Sequence, residues 1–397
     1  MWLSDFTLIL PDRIVEHGSL RIEGARIAEI VETPVPGGVS GAGPNGALQI
    51  FPGFIDMHGD MIEVEIEPRV GVDFPMEIAL PHLDARLAAS GVTTAYASVS
   101  FSRGAKDGDR RSFEHTSRVI REIDALRGTM RVDHRIHARF DITFDNAVGV
   151  LADLVHAGRV DLVSLMDHTP GQGQYRNLER HITQVASNQG VSESEARKIV
   201  ADRIAKRTRP QEVVLANLHA VSELCQSHGV PLASHDDDTV EKAHLMADLG
   251  VAISEFPVTM EAAEVAASRG IMAAMGAPNA MRGQSYSGNL SARAAHAKGL
   301  LGIIAADYHP GAILPAVRIL AETDPGGLPG AAAMATANPA RALGLDDRGR
   351  LAAGLRADLA IVDPSAAARV IATFRNGAVI HSAGVLPAMG DAARAVA

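Results

Sequence analysis

At residues 58–60 an imidazole and a carboxylate stand two positions apart, where Phe51-Pro52-Gly53-Phe54-Ile55-Asp56-Met57 runs into His58-Gly59-Asp60. The apolar stretch is entered through a Pro-Gly turn and reads as a strand. Side chains two apart on a strand share a face, so His58 and Asp60 are expected to project together while Met57 and Gly59 point away. Such a pair suits a divalent cation of the zinc, manganese or iron type, and Gly59 leaves room for the ion. Similar groups recur downstream: His137, Arg139 and Asp141; Asp167-His168-Thr169-Pro170-Gly171; His235-Asp236-Asp237-Asp238; and Asp307-Tyr308-His309. Taken singly, His168 also suits a helix end or the core, and Asp307 a helix N-cap. As a set they point to a metal centre, because each lies at the end of a short apolar run.

Those runs are Gly53 to Met57, Thr93 to Val99, Val132 to Phe140, Val160 to Met166, Val230 to Ser234, Val251 to Glu255, Ile271 to Ala274 and Leu301 to Ala306. Helical spacing of apolar residues separates them, which is how a chain of βα units reads. The α/β pattern predicts a (β/α)8 barrel of the TIM type, in which the carboxyl ends of the strands converge on one mouth. A doubly wound sheet is the alternative, but no Gly-x-Gly-x-x-Gly follows the first strand. The polar insert Asn177 to Leu218 is expected to add helices over one face. Residues 1 to 50 read as short strands and turns, and strand texture returns after about residue 345, through Leu359 to Val362, Val370 to Phe374 and Ala378 to Ile380. The expected organisation is a metal-dependent barrel over residues 51–345 inserted into a small β-sandwich domain built from both chain ends, 1–50 plus 346–397.

With 397 residues the chain can bury a large core. Its formal charge of −10, offset by no basic stripe, excludes a nucleic-acid surface. An anionic substrate therefore needs locally placed arginine or lysine. The single cysteine, Cys225, excludes an intramolecular disulfide and fits a reducing cytoplasm. No basic-then-apolar leader opens the chain, and no apolar run approaches the ~20 residues of a membrane span. A cytoplasmic protein with neither nucleic-acid nor membrane partner is expected.

Pro52-Gly53-Phe54-Ile55-Asp56-Met57-His58, the strand-end histidines, Asp307, and Ala337-Asn338-Pro339-Ala340-Arg341 followed by Gly354-Leu355-Arg356-Ala357-Asp358 resemble the amidohydrolase superfamily along nearly the whole chain. Further blocks are similar to one branch of it, which hydrolyses the phosphoanhydride of a ribosyl methylphosphonate triphosphate during phosphonate breakdown. They are His58-Gly59-Asp60 with Glu67-Pro68-Arg69, Ser164 to Gln172, Ser234-His235-Asp236-Asp237, Ser254-Glu255-Phe256-Pro257, Gly276-Ala277-Pro278-Asn279 with Arg282-Gly283 and Ser287-Gly288-Asn289, and Ala306-Asp307-Tyr308. Asp60, where most of the superfamily has a second histidine, marks that branch. Two positions depart from it: Tyr286 stands where a histidine usually precedes Ser-Gly-Asn, and His309 replaces an apolar residue. Both bear on the exact substrate more than on the metal chemistry.

The resemblance implies one or two divalent ions, zinc first and manganese or iron as alternatives, held by His58, Asp60, His168, His235 and Asp307. His137 is either a further ligand or a residue that orients one. Asp307 is the implied general base, and the implied reaction is attack on the phosphorus nearest the ribose with loss of pyrophosphate. Arg69, Arg139, Asn279 and Arg282 are candidates for gripping the substrate, a small phosphorylated sugar phosphonate, since a guanidinium meets two phosphate oxygens at once. Ordinary surface ion pairing is the alternative for the arginines. The Gly-rich run 276–288 offers backbone N–H groups to an anion or is a plain loop, Asp236 to Asp238 sit beside a ligand or cap the next helix, and Lys106 to Asp109 form a solvated turn. Two other readings compete: a deacylase, deaminase or cyclic amidase acting on a C–N bond, and a catalytically silent binding barrel. Ion number, bridging group and assembly stay open, because no lysine ends a strand and barrels of this family often form homo-oligomers.

Overall fold

A computed structural model describes residues 1–43, 46–69, 71–101, 112–144, 147–285, 287–365 and 368–384. The turn expected at Lys106 to Asp109 and the departure at Tyr286 lie outside these residues. Eight parallel strands follow one another around a barrel: β1 (Phe54–Gly59), β2 (Val92–Phe101), β3 (Asp133–Asp141), β4 (Leu162–Met166), β5 (Leu232–His235), β6 (Ile253–Glu255), β7 (Met272–Gly276) and β8 (Leu301–Ala305). Each coincides with one of the apolar runs. Just past β8 the seam closes through backbone bonds: the Asp307 amide donates to the His58 carbonyl at 2.9 Å, and the Asp60 amide donates to the Asp307 carbonyl at 2.8 Å.

Strands buried on both faces need apolar residues at nearly every position, and β2 is buried throughout. Ala95, Ala97 and Val99 face the surrounding helices. Tyr96 turns the other way and packs with Ile55, Met57, Leu162, Ile253 and Ile303 in the lower barrel interior. Filling that lower half with apolar side chains confines the polar ones to the upper end.

The strands from the two chain ends hydrogen-bond as one mixed sheet, in the order Ala378–Ser382, Arg369–Arg375, Leu359–Asp363, Gln49–Pro52, Trp2–Ile9, Ile14–Glu23, Arg26–Val31, with Val39–Ser40 also on Trp2–Ile9. The sheet curls over its own core, so that Ile27 and Phe374 from opposite ends share one cluster with Phe6, Leu20 and Ile361. Its other face, through Phe51, Ala360 and Val362, joins the cluster that covers the barrel helices. Arg348 fastens the two parts by donating to Asp133 at the foot of β3, 2.6 Å away.

The insert after β4 forms helices α1 (Leu178–Gln189) and α2 (Glu193–Arg207). Asn177 caps α1, Gly190 ends it with φ +64°, and Ser192 with Glu195 makes a reciprocal capping box at the start of α2. Ile182, Val185, Ala196 and Val200 give the pair a small core of its own. Arg207 then latches the insert to the barrel: Nη1 lies 2.6 Å from Asp141 Oδ2 at the end of β3, and the guanidinium covers the Phe144 ring. Among the described residues no helix is long and apolar enough to cross a membrane.

Candidate metal centre

Simple pleat alternation does not account for the way β1 presents His58. Asp56 pairs with Ala95 and Gly59 with Ala97, so β1 carries one residue more than β2 over this interval. The bulge turns Met57 and His58 successively into the barrel, correcting the expectation that Met57 points away. Met57 fills the apolar floor, and His58 stands above it with Nε2 3.3 Å from Asp60 Oδ1. Asp56, directed outward, secures the bulge by accepting from the amides of His58 (3.2 Å) and Ala306 (2.8 Å).

Past the ends of β5, β6 and β8 the backbone takes a rarer form. Asp236, Phe256 and Asp307 have φ of 54°, 51° and 58°, a left-handed conformation that costs roughly 1–2 kcal/mol for an L-residue. Their amides extend the barrel ladder to Glu255, Ala274 and His58 respectively, at 2.8–2.9 Å. Strained residues of this kind persist where the surrounding structure holds them, and they cluster at functional sites.

Two sets of donor atoms result, each lying within 4.8 Å of one another: His58, His137 and Glu255, and His168, His235 and Asp236. The sets adjoin, with ring centroids 5.6 Å apart for His58 and His235. In the second set His235 Nδ1 is 3.0 Å and His168 Nε2 3.6 Å from Asp236 Oδ2. All three of these atoms are buried without a hydrogen-bond partner, as are His58 Nδ1 and both oxygens of Glu255. Buried polar atoms are almost always satisfied, so a cluster of orphans that are all good cation ligands fits a divalent metal. His137 differs, because Ser98 Oγ sits 3.0 Å from its Nδ1 and Ser164 Oγ 2.9 Å from its Nε2.

Burial and charge work against each other here. Burial disfavours the His58 imidazolium, yet Glu255 and Asp60 outweigh it and push that histidine up to about 10. His137 and His168 go down, to about 3 and about 4, because burial dominates. Burial also drives Asp307 up to about 6, with Asp60 adding to the effect. Asp60 itself is held well below the usual carboxylate range, because Arg139 and His58 more than reverse its burial. Arg139 Nη1 donates to Asp60 Oδ1 at 2.7 Å and Nη2 lies 3.3 Å from His235 Nε2.

A cavity of about 510 Å³ opens over these groups, lined by His58, Asp60, Arg139, His235, Asp236 and Asp307, with Asn279 and Arg282 on its outer wall. Asn279 is already committed to the backbone: its Nδ2 donates to the Leu290 carbonyl and its Oδ1 accepts from the Ala292 amide. Arg69 is exposed beyond the helix that follows β1, outside this lining, and so is His309. Asp236 and Glu255 complete the two donor sets but were not among the ligands expected from sequence. Glu255 ends its strand as His235 does, which was the available signal.

The amidohydrolase family profile matches residues 158–382, and the chain belongs to that family. It is 34% identical over 367 residues, 91% of this chain and 94% of the relative, to the alpha-D-ribose 1-methylphosphonate 5-triphosphate diphosphatase of Escherichia coli (strain K12). Among solved structures the fold is similar to an N-acetyl-D-glucosamine-6-phosphate deacetylase from Mycobacterium smegmatis (TM-score 0.64, 16% identity, covering 96% of this chain and 100% of that one). It is likewise similar to a 5-methylcytosine deaminase from Klebsiella pneumoniae (TM-score 0.64, 17% identity, covering 96% and 98%).

Proposed function

We propose that this chain is a metal-dependent diphosphatase that cleaves alpha-D-ribose 1-methylphosphonate 5-triphosphate, or a close ribosyl phosphonate triphosphate, to the 5-phosphate and pyrophosphate. The observation that carries the reading is the similarity to the E. coli diphosphatase over nearly the full length of both chains. The orphaned donor sets and the arginine-bearing cavity support it. His168, His235 and Asp236 would hold one divalent ion, and His58 with Glu255 a second, zinc being the first choice for so many imidazoles. When bound, such an ion acidifies a neighbouring water and offsets the charge of phosphoryl oxygens.

The residues divide the remaining work. Asp307, on its strained turn at the barrel seam, takes the proton of the attacking water. A bond forms from that water oxygen to the phosphorus nearest the ribose, and the bond from that phosphorus to the bridging oxygen breaks. Pyrophosphate departs with the electron pair. Arg139 holds Asp60 and His235 in place rather than reaching for substrate, since Asp60 and His235 already engage its guanidinium. His137, fixed by Ser98 and Ser164, packs beside Glu255, whose Oε1 is 3.6 Å from its Nε2. Arg282, exposed at the rim, meets the phosphates, while Arg69 has no part in the cavity. A cytoplasmic location agrees with the lone buried Cys225.

Phosphorus NMR of the metal-loaded protein with the ribosyl triphosphate tests the assignment. Pyrophosphate as the first phosphorus product is expected. Orthophosphate would move the attack to the terminal phosphorus, and no turnover, with ammonia or carboxylate released from amides instead, would replace the reading with C–N hydrolysis.

A further inference from the structure

A second cavity, of about 350 Å³, lies beside the first and is lined by Arg176, Arg180, Thr259 and Glu261, with Ser287 and Asn289 common to both cavities. The dividing loop is tied to the insert, because Asn289 Nδ2 donates to the Gln174 carbonyl. Gln174 itself lines the catalytic cavity, so the chain passes from one chamber to the other within a few residues. Arg180 reaches across from the first turn of α1 and lays its guanidinium on the backbone at Gly288. A methyl group at Gly288, where φ is +75°, would overlap that guanidinium, so only glycine permits this approach. Arg176 is exposed and forms no ion pair among the described residues. Glu261 is the one acid in the lining, leaving a positive balance within a chain of net charge −10.

Resting on the diphosphatase reading, we infer that this second cavity seats the two terminal phosphates of the substrate and hence the departing pyrophosphate. In-line displacement sends the leaving oxygen away from the attacking water, so the terminal phosphates must extend out of the metal centre into a neighbouring chamber. Arg176 and Arg180, which line that chamber, bring guanidinium donors suited to phosphate oxygens. Arg176 and Arg180 are binding residues that set specificity for a triphosphate over a monophosphate.

The test measures pyrophosphate binding to the metal-loaded protein by calorimetry, alongside turnover of the ribosyl triphosphate. Arg176→Gln with Arg180→Gln is expected to weaken pyrophosphate by at least about tenfold and to flatten its salt dependence. The other product, the ribosyl methylphosphonate 5-phosphate, is to bind within about twofold of wild type, and Arg180→Lys is to restore part of the affinity. Arg176→Gln alone, at an exposed position, is to give a loss of about threefold and carries the test should the double variant unfold. Unchanged pyrophosphate affinity in an active enzyme overturns this inference alone, as does equal weakening of both products. A wild type inert toward the triphosphate overturns the diphosphatase reading and this inference with it.

Discussion

Replacing Gly276 by alanine places one methyl group against Asp307 and changes little else. Gly276 has φ −67° and ψ 132°, angles that any L-residue adopts, so no backbone strain arises. Lower entropy of the unfolded chain then favours alanine by about 0.4–1 kcal/mol. The new Cβ would sit 3.0 Å from Asp307 Oδ2 and 3.4 Å from its Cβ, inside the ~3.5–4.0 Å optimum for such contacts. Withdrawal of the carboxylate by roughly 0.3–0.5 Å follows. A misplacement of about 1 Å at the reacting geometry costs on the order of 100-fold, so kcat should fall about 5–10-fold, equivalent to about 1–1.4 kcal/mol. Stability and turnover are thus expected to move in opposite directions. Pyrophosphate release and thermal melting, followed for wild type, Gly276→Ala, Asp307→Ala and the double variant, measure both. With the Asp307 carboxylate gone the methyl has nothing to push, so Gly276→Ala should cost nothing further in that background. Undiminished kcat beside a raised Tm, or the same loss in both backgrounds, would refute the role given to Asp307.

Arg139→Met strips Asp60 of its partner and should destabilise the metal-free protein by about 2–3 kcal/mol in urea unfolding, below the range for a fully buried pair because Asp60 is partly solvated. Asp133 is held below the ordinary carboxylate range: burial opposes this, but Arg135 and Arg348 prevail. A depressed carboxylate stabilises the fold above its unfolded pKa of about 4 and loses that contribution as pH falls through the folded value. Asp133→Asn should therefore lower Tm near pH 7, with the two proteins converging as the pH falls below the ordinary carboxylate range; a constant gap would exclude the linkage. Arg207→Ala leaves Asp141 buried without its cation and should speed proteolytic cleavage around residues 207–210 before any global unfolding. Stripping the ions with a chelator should abolish turnover and lower Tm, both returning with stoichiometric zinc, while a Tm indifferent to chelation would count against metal at the orphaned donors.

The barrel was legible in the sequence because a parallel strand buried on both faces must be apolar almost throughout, and the polar residue that ends it marks the mouth. His58, His168, His235 and Asp307 are expected at the mouth on that logic, and among the described residues the three histidines fall in the two donor sets. Glu255 was not among the expected ligands, although the run Val251 to Glu255 ends in it as β6 does. Asp236 looked like a helix cap or a supporting acid, and only its left-handed backbone aims Oδ2 between two imidazoles. The bulge beneath His58 is set by pairing with β2, a long-range property that no local pattern encodes. Arg69 and Arg139 looked alike as cations near strand ends. Tertiary placement separates them, leaving one in solvent and locking the other in an internal ion pair.

The mixed sheet has a bearing on how the protein is made. Gln49–Pro52 lies between Trp2–Ile9 and Leu359–Asp363, so its second neighbour leaves the ribosome some three hundred residues after it does. Synthesis at ~5–20 residues per second leaves that half-paired edge open for roughly 15–60 s. Throughout this interval an unmated β edge invites pairing with other nascent chains, and capture by a chaperone or early docking onto the growing barrel would shield it. Slowing translation should accordingly raise the fraction lost to inclusion bodies.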